Sequence, residues 1–366
     1  MKNLIINTLS AAVCITVAGC STSGTTVSNF STIREYTLRN KSGMEVRVSN
    51  YGATITSIVV PDRVGNMADV ALGYNMAEGY INAVDRPYFG SVIGRYSGTI
   101  ADGKFQLDGK QFQLPVNKSG NHENGGSMGF DKVVWQSRVY GNSIEFKYLS
   151  KDLEEGYQGN LSVKVIYTLY ADNTLQIEYY AETDKATPVN LSNRTYINLA
   201  GEGNGTILSH ELMINSEAFT PVNEKRVPTG EIRSVKGTPF DFRIPKPIGR
   251  DIGNEDEQLL LVDGYDQNWV LSKGEGGVTL AASIYEPGSG RTLQVSTMEP
   301  GLRFYSGNGL DGRLKGKSGK RYSLNGGFCL EPRHFPDSPN HSQFPTTILR
   351  PGEQFKSISV YKFGVK

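Results

Sequence analysis

The chain has 366 residues, with 38 Lys and Arg against 37 Asp and Glu. So even a balance excludes an argument from net charge for nucleic acid or an acidic surface as partner. Three cysteines, with no Cys/His cluster at ligand spacing, exclude a disulfide framework and a zinc motif. Taken in order, residues 1–19 read as an export signal: Lys2, an apolar core, then Val17-Ala18-Gly19 before Cys20. Small residues ahead of a cysteine fit a bacterial lipoprotein cleavage site, so Cys20 is the expected lipidated N-terminus. An ordinary signal peptide followed by a chance cysteine is the alternative. Residues 20–32 are rich in Ser, Thr and Gly and form the expected flexible tether. No second long apolar run follows, so any membrane contact is expected through the lipid anchor alone.

From residue 33 to 366 the pattern is that of one large β domain. Alternating apolar positions recur at Val46-Val48, Ile55-Ile58-Val60 and Leu293-Val295. The cleanest alternation runs through Leu161, Val163, Val165, Tyr167 and Leu169, and resumes at Leu175, Ile177 and Tyr179. Ala171-Asp172-Asn173 between the two runs is a hairpin signal. There is no long stretch of helical period and no internal repeat. An all-β fold follows, a large antiparallel sandwich or barrel. Cys329, alone in the mature chain, sits in an apolar run and reads as a buried structural thiol.

The stretch Gly326 to Pro345, GGFCLEPRHFPDSPNHSQFP, ends a short strand on one carboxylate, Glu331, immediately before Pro332. Pro332 biases Glu331 towards extended backbone, and a strand end of this kind is a common seat for a catalytic acid or base. A surface glutamate is the plain alternative. Together with YFGSVIGR (from Tyr88), GFDKVVW (from Gly129), EEGYQGNLSVKVIYTL (from Glu154), GYDQNWVL (from Gly264) and FYSGN (from Phe304), this stretch resembles the aldose 1-epimerase (galactose mutarotase) family over residues 34 to 364. The resemblance implies a mutarotase-like super-sandwich with a sugar site on a concave sheet face. It also implies ring opening by paired acid and base, a monosaccharide or modified sugar as partner, and no metal or cofactor.

Carried over residue by residue, the resemblance is partial. Glu331 keeps the family's base position and Asp266 its hydroxyl-binding position. The histidine that serves as acid falls on Arg194, and a second pocket histidine falls on Asn124. The usual Asn-Arg pair falls on Gly98-Thr99, and the usual glutamine on Arg303. Arginine is a poor proton donor at neutral pH, although it can stabilise charge developing on an oxygen. The acid must therefore come from elsewhere, or Arg194 acts as an electrophile. His122 is the stand-in: it lies two residues before Asn124, and in extended backbone i and i+2 share a face. A solvated loop histidine is the alternative. Catalysis is thus expected from Glu331 and Arg194, and substrate binding from Asp266, Asn124, Arg303 and His122. Arg194 and Arg303 suit a carboxylate or sulfate on the sugar; equally, they can pair with Glu331 and Asp266. An aldose 1-epimerase-like enzyme is the primary reading. A carbohydrate-binding protein that has lost catalysis, or a lyase on the same scaffold, are the alternatives.

Overall fold

The computed structural model describes residues 32–83, 85–272 and 277–366. The expected leader and Cys20 lie outside the described residues, as does the tether up to residue 31. The described chain from Ile33 onward is built on two large antiparallel sheets. The larger has nine strands, in the order Gln136–Tyr140, Ser143–Ser150, Leu161–Leu169, Thr174–Thr183, Phe355–Val365, Arg291–Thr297, Thr279–Tyr285, Glu211–Ile214 and Lys246–Pro247. The hairpin expected around Asp172 forms the third and fourth strands of this sheet, with Leu169 opposite Leu175 and Asn173 in the left-handed region at φ 62°.

The second sheet has six strands, ordered Tyr196–Ile197, Phe328–Arg333, Gly301–Tyr305, Asp266–Leu271, Ser216–Thr220 and Arg233–Ser234. Period-two alternation divides its side chains between two environments. Phe328, Leu330, Leu302, Phe304 and Trp269 face inward and join Val163, Val165, Tyr167 and Leu293 of the larger sheet in one buried core. Cys329, Glu331, Arg303, Tyr305, Asp266 and Asn268 are the intervening residues, and they form the other face. Tyr361, from the larger sheet, reaches across and donates to the Leu330 carbonyl at 3.2 Å. That bond ties the strand carrying Glu331 to the sheet behind it.

The strand carrying Glu331 does not end there. It continues through Pro332, opposite Leu302, to Arg333, opposite Gly301. Pro332 is tolerated because Tyr196–Ile197 covers only Phe328 and Cys329, leaving one flank of the strand without a ladder partner at Pro332. Among the described residues the α-helices are single turns, Ala77–Ile81 and Glu257–Leu260. Among the described residues no helix is long and apolar enough to cross a membrane.

Candidate active site

Strand register assembles the site row by row. Asn268, Arg303 and Glu331 are neighbours across three strands, with Asp266, Tyr305 and Cys329 in the next row. Glu331 is completely buried. Its Oε1 accepts from Arg303 Nη1 at 2.7 Å and from Arg194 Nη1 at 3.3 Å. Its Oε2 is buried and has no partner among the described residues. Arg303 also donates through Nε to Asp266 Oδ1 at 2.6 Å, and so bridges the two carboxylates. Burial pushes the Asp266 carboxyl up to about 7, with Arg194 and Lys118 pulling the other way; the contact with Arg303 acts in the same direction as theirs.

A cleft opens over this face. Its walls include Asp266, Asn268, Arg303, Arg333, Asn124 and Thr220, with Lys118, Lys225 and Arg226 also on its lining. Lys118, Lys225 and Arg226 each pair with a carboxylate, on Glu123, Asp102 and Asp263 respectively. Glu331 and Arg194 are not part of the lining. Arg194 stands behind Glu331, its guanidinium 5.0 Å from the Tyr305 ring and 5.6 Å from the Tyr196 ring. Burial works against its charge, but Tyr196 and Glu331 outweigh that and hold it firmly protonated. Its backbone is fixed by Gly90 and Ser91, which exchange hydrogen bonds with it at 2.9 and 3.0 Å.

Four of the expected residues therefore meet as foreseen: Glu331, Arg194, Arg303 and Asp266 form one connected cluster, and the two arginines do pair with the acids. Asn124 is also in place on the cleft wall, its Oδ1 accepting from the Gly98 amide at 3.0 Å. Two expectations need correction. Arg194 meets Glu331, not the cleft, so a direct electrophilic role has no geometric support. His122 faces away from the cleft altogether. It is fully buried, with Nδ1 2.7 Å from the Pro115 carbonyl and Nε2 2.8 Å from the Tyr157 hydroxyl. Parity fails because Asn124 lies at φ 51°, so the segment is not extended and residues 122 and 124 do not share a face. The other histidines are structural: His210 accepts from the Leu199 amide at 3.1 Å, and His334 contacts Glu299 at 2.6 Å.

Sequence reasoning missed Arg333 and Asn268. Both were within reach of the period-two rule, lying two residues beyond Glu331 and Asp266. Both side-chain polar atoms of Asn268 are buried and unpartnered among the described residues. Among those residues no group of three or more His, Cys, Asp or Glu is placed to hold a metal ion.

Residues 34–362 match the family model described as aldose 1-epimerase. Galactose mutarotase from Bos taurus is 45% identical over 334 residues, covering 91% of this chain and 95% of its own. Aldose 1-epimerase from Escherichia coli is 36% identical over 333 residues, covering 90% and 95%. Among solved structures, a galactose 1-epimerase from Lactobacillus acidophilus superposes with a TM-score of 0.79 at 30% identity, covering 91% of this chain and 95% of that one. An aldose epimerase homologue from C. elegans superposes with a TM-score of 0.84 at 28% identity, covering 91% and 99%.

Proposed function

This chain belongs to the aldose 1-epimerase family, and from that premise we propose how its altered site interconverts the α and β anomers of a sugar. A base takes the proton of the anomeric hydroxyl, the bond between C1 and the ring oxygen breaks, and an acid gives a proton to the ring oxygen. The open aldehyde rotates about C1–C2 and recloses with the roles reversed. Each proton taken is given back over the cycle, so no co-reactant is consumed.

Glu331 is the base, acting through Oε2. The observation that carries this reading is its environment: a fully buried carboxylate, held through Oε1 by two guanidiniums, with Oε2 unpartnered among the described residues. Arg194 is a positioning residue that fixes the carboxylate from behind. Arg303 lines the cleft and holds Glu331, which is outside the lining, so the anomeric centre reaches Glu331 when Arg303 swings aside. The same movement releases Asp266, which delivers the proton to the ring oxygen in place of the absent histidine. A carboxyl lifted towards 7 is suited to giving and retaking a proton near neutrality. Asn124 and Arg303 hold sugar hydroxyls.

The test is anomer exchange measured by NMR on freshly dissolved galactose. Glu331→Gln keeps the shape and removes the base, and exchange falls by on the order of a hundredfold or more. Wild-type exchange in that variant rules the assignment out. We also propose that the protein is exported and tethered by a lipid on Cys20, a reading supported by Val17-Ala18-Gly19-Cys20 behind an apolar run.

A further inference from the structure

The buried centre of the site holds three arginines, Arg194, Arg303 and Arg333, against two carboxylates, Glu331 and Asp266. Arg194 and Arg303 are both spent on those carboxylates. Arg333 is not. Its residue is 4% exposed, and among the described residues no carboxylate lies within ion-pair distance of it. Its only hydrogen bond there is a long one, 3.5 Å from Nη1 to the Ser97 hydroxyl, and its Nε is buried with no partner. Burial presses its pKa below the usual guanidinium range, with Glu331 and Asp266 only partly offsetting it. A guanidinium keeps its charge in such a place, and an unpaired buried charge is costly. Yet Arg333 lines the cleft, beside Asn268, whose amide is also unpartnered among the described residues.

A second observation concerns Gly98. It sits at φ 110°, and a Cβ there would come 3.3 Å from Arg333 Nη1 and 3.0 Å from Pro336 Cβ. The absence of a side chain at residue 98 leaves Arg333 its room. The position where the family resemblance expects a larger residue has no side chain, and the guanidinium of Arg333, from the strand Phe328–Arg333, lies against it.

We propose that Arg333, with Asn268, is the receptor for an anionic substituent on the sugar, a carboxylate or a sulfate. The planar fork of arginine matches either oxyanion, and the ligand supplies an anionic partner for the one guanidinium of the three that has none among the described residues. This deepens the epimerase reading and rests on it for the identity of the ligand as a sugar.

Anomer exchange and calorimetry with galactose, galacturonate and galactose 6-sulfate test it on the full chain. The wild type favours at least one of the acidic sugars over galactose by about tenfold or more, the range for a charge-assisted contact. The carboxylate and sulfate arms identify which oxyanion is used. Arg333→Gln abolishes the preference, and Arg333→Lys, which keeps the charge without the fork, restores part of it. Equal affinity of the wild type for all three sugars, or a preference for galactose, overturns the proposal without recourse to any variant and leaves Arg333 as a hydroxyl ligand. A preference that survives in a folded Arg333→Gln overturns it as well. Absence of exchange on every sugar, with the calorimetric preference for an acidic one intact, sinks the epimerase reading and leaves the role of Arg333 standing.

Discussion

At the scale of single residues, an arginine, Arg194, stands where the family resemblance expects the acid histidine, and it meets the retained Glu331 in a cluster of arginines and carboxylates. Glu331 and Asp266 share Arg303, and only one of them is wholly enclosed. Their environments therefore differ, which is the condition under which the proposed base and acid can come from the same functional group. The assignment of Asp266 has a pH signature. Its pKa is raised, so the protonated form persists up to about 7 and is lost above it. If it donates to the ring oxygen, exchange falls as pH rises through that range, and Asp266→Asn, which cannot donate a titrating proton, removes this limb and lowers exchange throughout. An alkaline limb unchanged in Asp266→Asn assigns the acid elsewhere. Glu331→Gln carries its own control, because two guanidiniums lose their anion there. Breaking a buried pair costs roughly 3–5 kcal/mol, so thermal unfolding of that variant separates lost chemistry from lost fold.

At the scale of the element, the strand Phe328–Arg333 does two jobs by alternation. Phe328 and Leu330 anchor it in the core, while Cys329, Glu331 and Arg333 face the site. Leu330→Ala leaves a cavity beneath Glu331 and costs about 2–5 kcal/mol, read as a lower denaturant midpoint with an unchanged slope. A loss under 1 kcal/mol contradicts the placement of Leu330 in the main core. The same strand shows what was legible in the sequence. Alternation at Leu161–Leu169 and Leu175–Tyr179 located the hairpin around Asp172, and GFCLEP located Glu331. Pro332 looked like a terminator, because a proline lacks the N–H a ladder uses. Only the sheet order reveals that no strand flanks it on one side, and so Arg333 went unread. His122 failed for another reason: parity was carried up to Asn124, although Asn124-Gly125-Gly126 is a turn signal and Asn124 takes left-handed backbone. That the two arginines pair with Glu331 and Asp266 was one of two readings the sequence left open; that Arg303 alone bridges both acids needed register across three strands, which period-two counting within one strand does not supply.

At the scale of the whole molecule, the nearly neutral balance of charge matters chiefly for where the protein works. A body with no net basic excess gains little from anionic headgroups, so the proposed attachment to a membrane rests on the N-terminus alone. One acyl chain alone gives marginal binding, while the several chains of a bacterial lipoprotein N-terminus hold firmly. Cys20→Ala removes the acceptor while leaving every residue from Ile33 to Lys366 untouched. Fractionation of cells expressing the wild type places the protein with membranes after a salt wash, since acyl anchoring is not released by screening charge. The variant moves to the soluble exported fraction or is retained with its leader uncleaved. In both cases anomer exchange per mole of folded protein stays at the wild-type level. Membrane association that survives in a leader-cleaved Cys20→Ala protein, or a wild-type protein that washes free in salt, removes the lipid anchor and returns residues 1–19 to the alternative of an ordinary signal peptide.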